Sequence, residues 1–137
     1  MKRAWRRGAA LLLLTAAAST ARAHHSLTYY DRSKEITVTG AVVEFQFIQP
    51  HPFLLVEVQT AAGGKQVWRV EMDDLDELRD ARVSKDTFKR GDRVTVVGAP
   101  NRNGTPAMYL ERVDRPADRF RLEQVGSSPV AGIRPKT

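Results

Sequence analysis

Alternating apolar and polar residues predict several β-strands along this chain. In "EITVTGAVVEFQFI" the alternation starts at Ile36 and follows the period of a half-buried strand. After Gly40 the phase changes, and Val43, Phe45 and Phe47 carry the alternation. A glycine at such a point is typical of a bulge or sharp bend. The segment is therefore predicted to be one bent strand that serves two sides of a small barrel.

The next segments predict two more strands, one helix and a final pair of strands. "FLLVEVQT" and "QVWRVEM" alternate around the turn "AAGGK", so they are expected to form a hairpin. "DDLDELRDA" changes to a helical period, with an Asp to cap its start and with Leu75 and Leu78 on one face. "RVTVVGAP" and "AMYLERV" are the last two strands, joined by the turn-rich "NRNGTP".

The element order is therefore β-β-β-α-β-β, which predicts an all-β fold with one short helix. This order matches an OB-like five-stranded small barrel, in which the helix connects strands three and four. The alternative is a different small barrel or an open β-sandwich. The predicted domain covers residues 24–114. Residues 115–137 lose apolar periodicity and gain Pro, Gly and Ser, so a flexible C-terminal tail is expected there.

Residues 1–23 have the pattern of a secretory signal peptide. A positively charged start precedes "GAALLLLTAAA", an apolar run too short to span a bilayer. "ARA" supplies small residues for cleavage after Ala23, and Ser19 with Ala21 supplies them for cleavage after Ala21. A periplasmic protein with no membrane span after cleavage is expected. An uncleaved anchor is the alternative.

The charge of the chain changes with cleavage. Five of the net +6 charges lie before residue 24, where there is no acid, so residues 24–137 carry a net charge of +1. The excess of basic residues thus belongs mainly to the predicted signal peptide, and no nucleic-acid partner is predicted. The chain has no cysteine, which excludes a disulfide framework, a thiolate metal site and a cysteine nucleophile.

Several motifs resemble an uncharacterised family of small exported bacterial proteins. They are "HHS" followed by "YD", then "TGAVVEFQF", "QPHPFLLVEV", "WRVE" and "KRGDRVTVVGAP". The resemblance covers roughly residues 24–113. The chain departs from the family pattern at "QPHPF", where the family more often has Asn-Pro-His followed by a residue other than proline. The resemblance implies export and a single domain, and it brings no established activity.

The three histidines are the candidate metal ligands. Cleavage after Ala23 would make His24 the first residue, so its α-amine and imidazole could chelate one metal ion. A third nitrogen from His51, which lies between two prolines, would complete a site that resembles the histidine brace of several secreted copper proteins. His25 competes for that role or assists. Such nitrogen ligands favour Cu(II), so copper is the predicted cofactor.

Cleavage after Ala21 predicts a different copper site. The chain would start Arg22-Ala23-His24, and a histidine in third place binds Cu(II) or Ni(II) in a square plane with the amine and two backbone amides. The bland interpretation is that the adjacent histidines are polar residues tolerated by the signal peptidase and that His51 only caps a strand.

No convincing catalytic set is present. The acids of "DDLDELRD" lack the spacing of an EF-hand and suit a solvated helix, and Ser26 beside His25 has no evident orienting acid. A copper oxidase or oxygenase is therefore the least favoured class. The prediction is a periplasmic binding module with one copper ion. The alternative is a metal-free interaction domain that docks a protein or an oligosaccharide.

Overall fold

The computed structural model describes residues 28–126 and 128–136. Seven strands and one helix follow in order: β1 Ile36–Gln46, β2 Phe53–Gln59, β3 Lys65–Glu71, α1 Leu75–Asp80, β4 Arg93–Pro100, β5 Ala107–Arg115, β6 Phe120–Val125 and β7 Ser128–Ile133. No helix within these residues is long and apolar enough to cross a membrane. The predicted signal peptide lies outside them.

The first five strands close into a barrel with the predicted OB-like order. The sheet runs β3-β2-β1-β4-β5, and β3 also pairs with β5 in parallel, which joins its two ends. α1 connects β3 to β4, as the sequence predicted. The fold class is confirmed: the domain is a five-stranded β-barrel with one short helix and two extra strands.

The barrel is filled by side chains that the alternation assigned to its interior. Leu54, Val56, Val70 and Met72 are fully buried, and Leu78 of α1 packs into the same cluster. Asp74 caps α1 by accepting a hydrogen bond from the backbone N–H of Asp76. A core this apolar supplies the stability of a domain that has no disulfide.

The bend in β1 lies slightly beyond the predicted position. Val42 continues the buried face of β1, and the register with β2 shifts between Val42 and Glu44. Phe45 packs against the core after this bulge, on the opposite parity from Val38, which also packs there. Gly40 has another role, because a Cβ there would lie 2.2 Å from the carbonyl oxygen of Glu57.

The flexible tail predicted for residues 115–137 is wrong for residues 120–133. β6 pairs with β5, and β7 pairs with β6, so a hairpin extends the sheet beyond the barrel. Leu122 is fully buried in the main core. Arg121 makes a bidentate hydrogen bond to Asp114 of β5, at 2.7 and 3.1 Å. Apolar burial and long-range ion pairs hold a segment whose composition suggested a tail.

A polar cluster at the barrel seam as candidate functional site

The barrel closes where β3 meets β5, and a polar cluster covers the outside of this seam. The parallel register pairs Val70 with Met108 and Glu71 with Tyr109. Val70 and Met108 point into the barrel, so the alternation places Glu71 and Tyr109 on the outer face. We call this group the seam cluster, and its members are Tyr30, His51, Glu71, Asp73, Tyr109 and Gln124.

His51 is held opposite Asp73 by the backbone. The antiparallel register of β2 and β3 ends with Phe53 beside Glu71. Beyond it, the N–H of Met72 donates to the carbonyl of Pro52 at 2.9 Å, and the N–H of Leu75 donates to the carbonyl of Pro50 at 3.0 Å. Between these two bonds lie His51 on one segment and both Asp73 and Asp74 on the other, so two residues oppose one, as in a β-bulge. His51 therefore lies across from this pair of aspartates, and its charge acts on the pKa of Asp73.

Asp73 is fixed on one side and unpartnered on the other. The Tyr109 hydroxyl donates to its Oδ1, and its own backbone N–H donates to Oε1 of Gln124 at 2.8 Å. Gln124 is itself anchored, because its Nε2 donates to the carbonyl of Leu110 at 2.8 Å. Asp73 is only 6% exposed, yet its Oδ2 has no hydrogen-bond partner among the described residues.

His51 contributes the second unpartnered atom. Its Nδ1 is buried and has no hydrogen-bond partner within residues 28–126 and 128–136. A buried nitrogen or oxygen without a partner costs about 1–3 kcal/mol, so such atoms are rare in folded proteins unless a water, an ion or a ligand meets them. Here a ring nitrogen and a carboxylate oxygen in this state belong to residues on adjacent segments of the chain.

Two tyrosines form the wall of the seam cluster. Tyr30, which is 3% exposed, donates from its hydroxyl to Oε2 of Glu71 at 2.7 Å. Its ring centroid lies 5.8 Å from that of Tyr109. A bridge between Tyr30 and Asn101 fastens the entering chain over the seam. The described chain therefore enters the barrel at this cluster, through Tyr30.

Burial sets the electrostatics of the seam cluster. It raises the pKa of Asp73, against the opposing effects of the Tyr109 hydroxyl and the nearby charges of His51 and Arg32. Burial and the hydrogen bond to Asp73 raise the pKa of Tyr109, and burial with the hydrogen bond to Glu71 raises that of Tyr30. Both phenols are therefore fixed as proton donors, and the carboxylates are the acceptors.

The predicted ligands are only partly within the described chain. His24 and His25 lie outside the described residues, so their relation to His51 stays a prediction. His51 lies in the seam cluster. Among the described residues no group of three or more His, Asp or Glu side chains is arranged to hold a metal ion. The described part of the chain thus supplies two buried, unpartnered donor atoms on adjacent segments, and further ligands would have to come from elsewhere.

Sequence reasoning missed most of the seam cluster. Asp73 was grouped with the acids of the helix start, and Tyr109 with the apolar residues of the last strand. Two adjacent tyrosines differ in their placement: Tyr30 is buried in the cluster, whereas Tyr29 is 63% exposed. The signal that would have found Asp73 is the hairpin register: pairing Gln59 with Lys65 across "AAGG" continues to His51 opposite Asp73.

A family model matches residues 11–108, and its description is a family of unknown function (DUF6152). The chain belongs to this family. The resemblance noted in the sequence is thereby confirmed, and the matched region includes all three histidines and Asp73. No curated protein sequence matches the chain.

Similar solved structures show only a distant likeness of fold. One is a ZRD-deleted mutant of TiaS in complex with agmatine, with 20% identity, a TM-score of 0.43, and coverage of 62% of this chain and 22% of that one. Another is apo TiaS (tRNAIle2 agmatidine synthetase), with 18% identity, a TM-score of 0.43, and coverage of 75% and 26%. This chain spans about a quarter of those proteins, and the likeness carries no argument about function.

Proposed function

We propose that this protein is exported to the periplasm and binds one copper ion through an amino-terminal His24 and His51, with His25 assisting. The observation that supports the proposal best is the buried Nδ1 of His51, which has no partner among the described residues, together with a second such atom on Asp73 of the adjacent segment. A metal ion that meets this nitrogen would remove the cost of burying it.

The chain topology supports a contribution from the amino terminus. Tyr30 is buried in the seam cluster, and only six positions separate it from His24. Six residues reach at most about 20 Å, and a bent path reaches less. An α-amine and an imidazole on that segment would thus be tethered near His51, which raises their local concentration at the site.

The same geometry distinguishes the two cleavage sites. A start at His24 leaves the chelate with only two nitrogens, so a third from His51 is needed and the seam cluster becomes the metal site. A start at Arg22 supplies four nitrogens from the terminus alone, and His51 would then be irrelevant. The unpartnered His51 favours the start at His24.

The test is a copper titration of protein purified from the periplasm, with its first residue established by intact mass. We expect one Cu(II) per chain, measured against a competing chelator. His51→Ala should weaken binding by roughly 100-fold or more, which corresponds to about 2.7 kcal/mol. His25→Ala is the matched control and should have a smaller effect. The Cu(II) electron paramagnetic resonance (EPR) spectrum should change with His51→Ala.

Binding that survives His51→Ala unchanged would contradict this site, and it would favour the Arg22-start geometry if the mass shows that start. Absence of stoichiometric copper would leave the metal-free interaction domain as the candidate. Its docking surface would be the outer edge of β7, where Val130 and Ile133 are 64% and 56% exposed. An open strand edge with apolar side chains is a typical place for another chain to pair.

A further inference from the structure

We infer that Asp73 is an oxygen ligand of the same metal ion, held in place by Tyr109 and Gln124. This inference rests on the proposed function, because it adds a carboxylate to the nitrogens of His51 and the amino terminus. It assigns a role to a residue that the sequence had placed among the solvated acids of a helix start.

The geometry of Asp73 is that of a preorganised ligand. Three hydrogen bonds fix its position: one from the Tyr109 hydroxyl to Oδ1, one from its own N–H to Gln124, and one that anchors Gln124 to the carbonyl of Leu110. With Oδ1 occupied by the Tyr109 hydroxyl, Oδ2 of Asp73 has no partner among the described residues. A metal ion bound by both side chains would use two of the three buried side-chain atoms that lack a hydrogen-bond partner in this part of the chain; the third is Nε of Arg112.

His51 and Asp73 are better suited to binding a cation together than to forming a hydrogen bond with each other. Nδ1 of His51 and Oδ2 of Asp73 are both buried on adjacent segments, and no hydrogen bond joins them. No lysine or arginine makes an ion pair with Asp73 among the described residues, although such pairs occur elsewhere in the domain. A buried carboxylate without a cationic partner is costly, and a divalent ion would supply that partner.

The carboxylate would also change the properties of the bound copper. An anionic oxygen ligand favours Cu(II) over Cu(I), since carboxylates are hard ligands and Cu(I) prefers soft ones. The site would therefore hold oxidised copper tightly and resist reduction. This outcome suits binding and storage of Cu(II) better than electron transfer.

The experiment compares Asp73→Asn with Asp76→Asn in the processed, full-length protein. Both variants remove one negative charge and keep the side-chain size, but Asp76 is exposed, and its one ion pair within the described residues is with Arg79. Asp73→Asn should weaken Cu(II) binding by roughly 10-fold to 100-fold and shift the EPR parameters. Asp76→Asn should change neither. Circular dichroism spectra of both variants should match that of the parent.

A second measurement needs no variant. Aspartate labelled with carbon-13 at the side-chain carboxylate should give a resolved carbon hyperfine coupling to bound Cu(II) in the parent protein. Tyr109→Phe removes only the hydroxyl that fixes Oδ1, so it should weaken binding less than Asp73→Asn and leave that coupling detectable. These results would establish Asp73 as a ligand and Tyr109 as a positioning residue.

The outcomes separate this inference from the proposed function. If His51→Ala abolishes binding while Asp73→Asn leaves the affinity and the spectrum unchanged, the nitrogen site stands and ligation by Asp73 is wrong. A weakened affinity without any carbon hyperfine coupling in the parent likewise rules out ligation, because Asp73 would then act only through a hydrogen bond to His51. If the parent binds no copper, both proposals are overturned.

Discussion

Two nearly buried aspartates in this domain have opposite surroundings. Asp114, whose side chain is 13% exposed, lies among three arginines: Arg121 at 2.7 Å, Arg112 at 3.2 Å and Arg134 at 3.6 Å. Asp73 is 6% exposed and has a hydroxyl on one oxygen and no partner on the other among the described residues. The same fold therefore pairs both oxygens of the Asp114 carboxylate with arginines and leaves one oxygen of the Asp73 carboxylate without a partner among the described residues.

This difference distinguishes a carboxylate that stabilises the fold, Asp114, from a candidate functional carboxylate, Asp73. Arg121 of β6 and Arg134, which follows β7, tie the β6–β7 hairpin to Asp114 of β5, so the charge there has a structural purpose. Nothing comparable is gained at Asp73, where burial without a cation costs stability. Buried polar atoms without a protein partner are rare, and a water, an ion or a ligand usually meets them, so the seam cluster is the candidate site.

The largest loss of stability is expected on removal of the Arg115 guanidinium, which is paired with several acceptors. Arg115 donates to Asp92 at 2.8 Å, to Asp118 at 2.8 Å and to the carbonyl of Thr87. Arg115→Ala should lower the free energy of unfolding by about 3 kcal/mol, since it leaves these acceptors unpaired. Urea denaturation measures the loss. Arg115→Lys keeps the positive charge but not the planar guanidinium, so it should lower the free energy of unfolding by less. A loss below about 1 kcal/mol for Arg115→Ala would contradict a structural role of Arg115.

Asp114→Asn should destabilise the protein by about 1–2 kcal/mol at neutral pH. Burial raises the pKa of Asp114, but the hydrogen bond and charge of Arg121 and the charges of Arg134 and Arg112 outweigh it, so the pKa is lowered. The stability that Asp114 contributes is thus present above its ordinary pKa and is lost as the pH falls through the lowered one. Denaturation curves of parent and variant should converge in acid; a constant gap would count against this account.

Asp73→Asn should have the opposite effect and raise the free energy of unfolding of the metal-free protein by about 1 kcal/mol at neutral pH. The pKa of Asp73 is raised by burial, with Asp74 adding to the rise and Tyr109, His51 and Arg32 opposing it. The parent therefore gains stability as the pH falls through this raised pKa, and the advantage of the variant disappears. Thermal unfolding of parent and variant with a chelator present measures this difference in stability. A less stable variant would mean that the carboxylate is structurally needed.

The smallest effect is expected at an exposed pair. Asp76 lies 2.9 Å from Arg79 on α1, and the two side chains are 71% and 57% exposed. Asp76→Asn should change the free energy of unfolding by less than about 0.5 kcal/mol, because solvent screens such pairs. It sets the baseline against which the other two aspartate variants are judged. A change as large as that at Asp114 would show that removal of any acid perturbs this domain.

Much of the barrel could be predicted from the sequence because its strands alternate clearly. The order of elements, the helix with its cap and the buried faces of β2 and β3 all follow from local patterns. The bulge in β1 was placed too early, since Val42 and Val43 are both apolar and either phase fits the sequence. The β6–β7 hairpin was missed because its support comes from Asp114 and from the barrel core, which are distant in sequence.

The candidate site was predicted only through its histidines. His51 was found by residue type and by its flanking prolines. Tyr109 could not be predicted as a partner of Asp73, because the parallel pairing of β3 with β5 brings these distant residues together and local periodicity carries no information about that pairing. Asp73 itself could have been placed across from His51 by extending the hairpin register of β2 and β3.

The most direct test of the central claim is a Cu(II) titration of two proteins that differ by one residue at the amino terminus. One begins at His24, and the other retains a Met before it. The account predicts one tightly bound Cu(II) for the first protein. The second should bind at least roughly 100-fold more weakly, because His24 no longer carries the α-amine although every imidazole remains. Equal affinity for the two proteins would contradict the account.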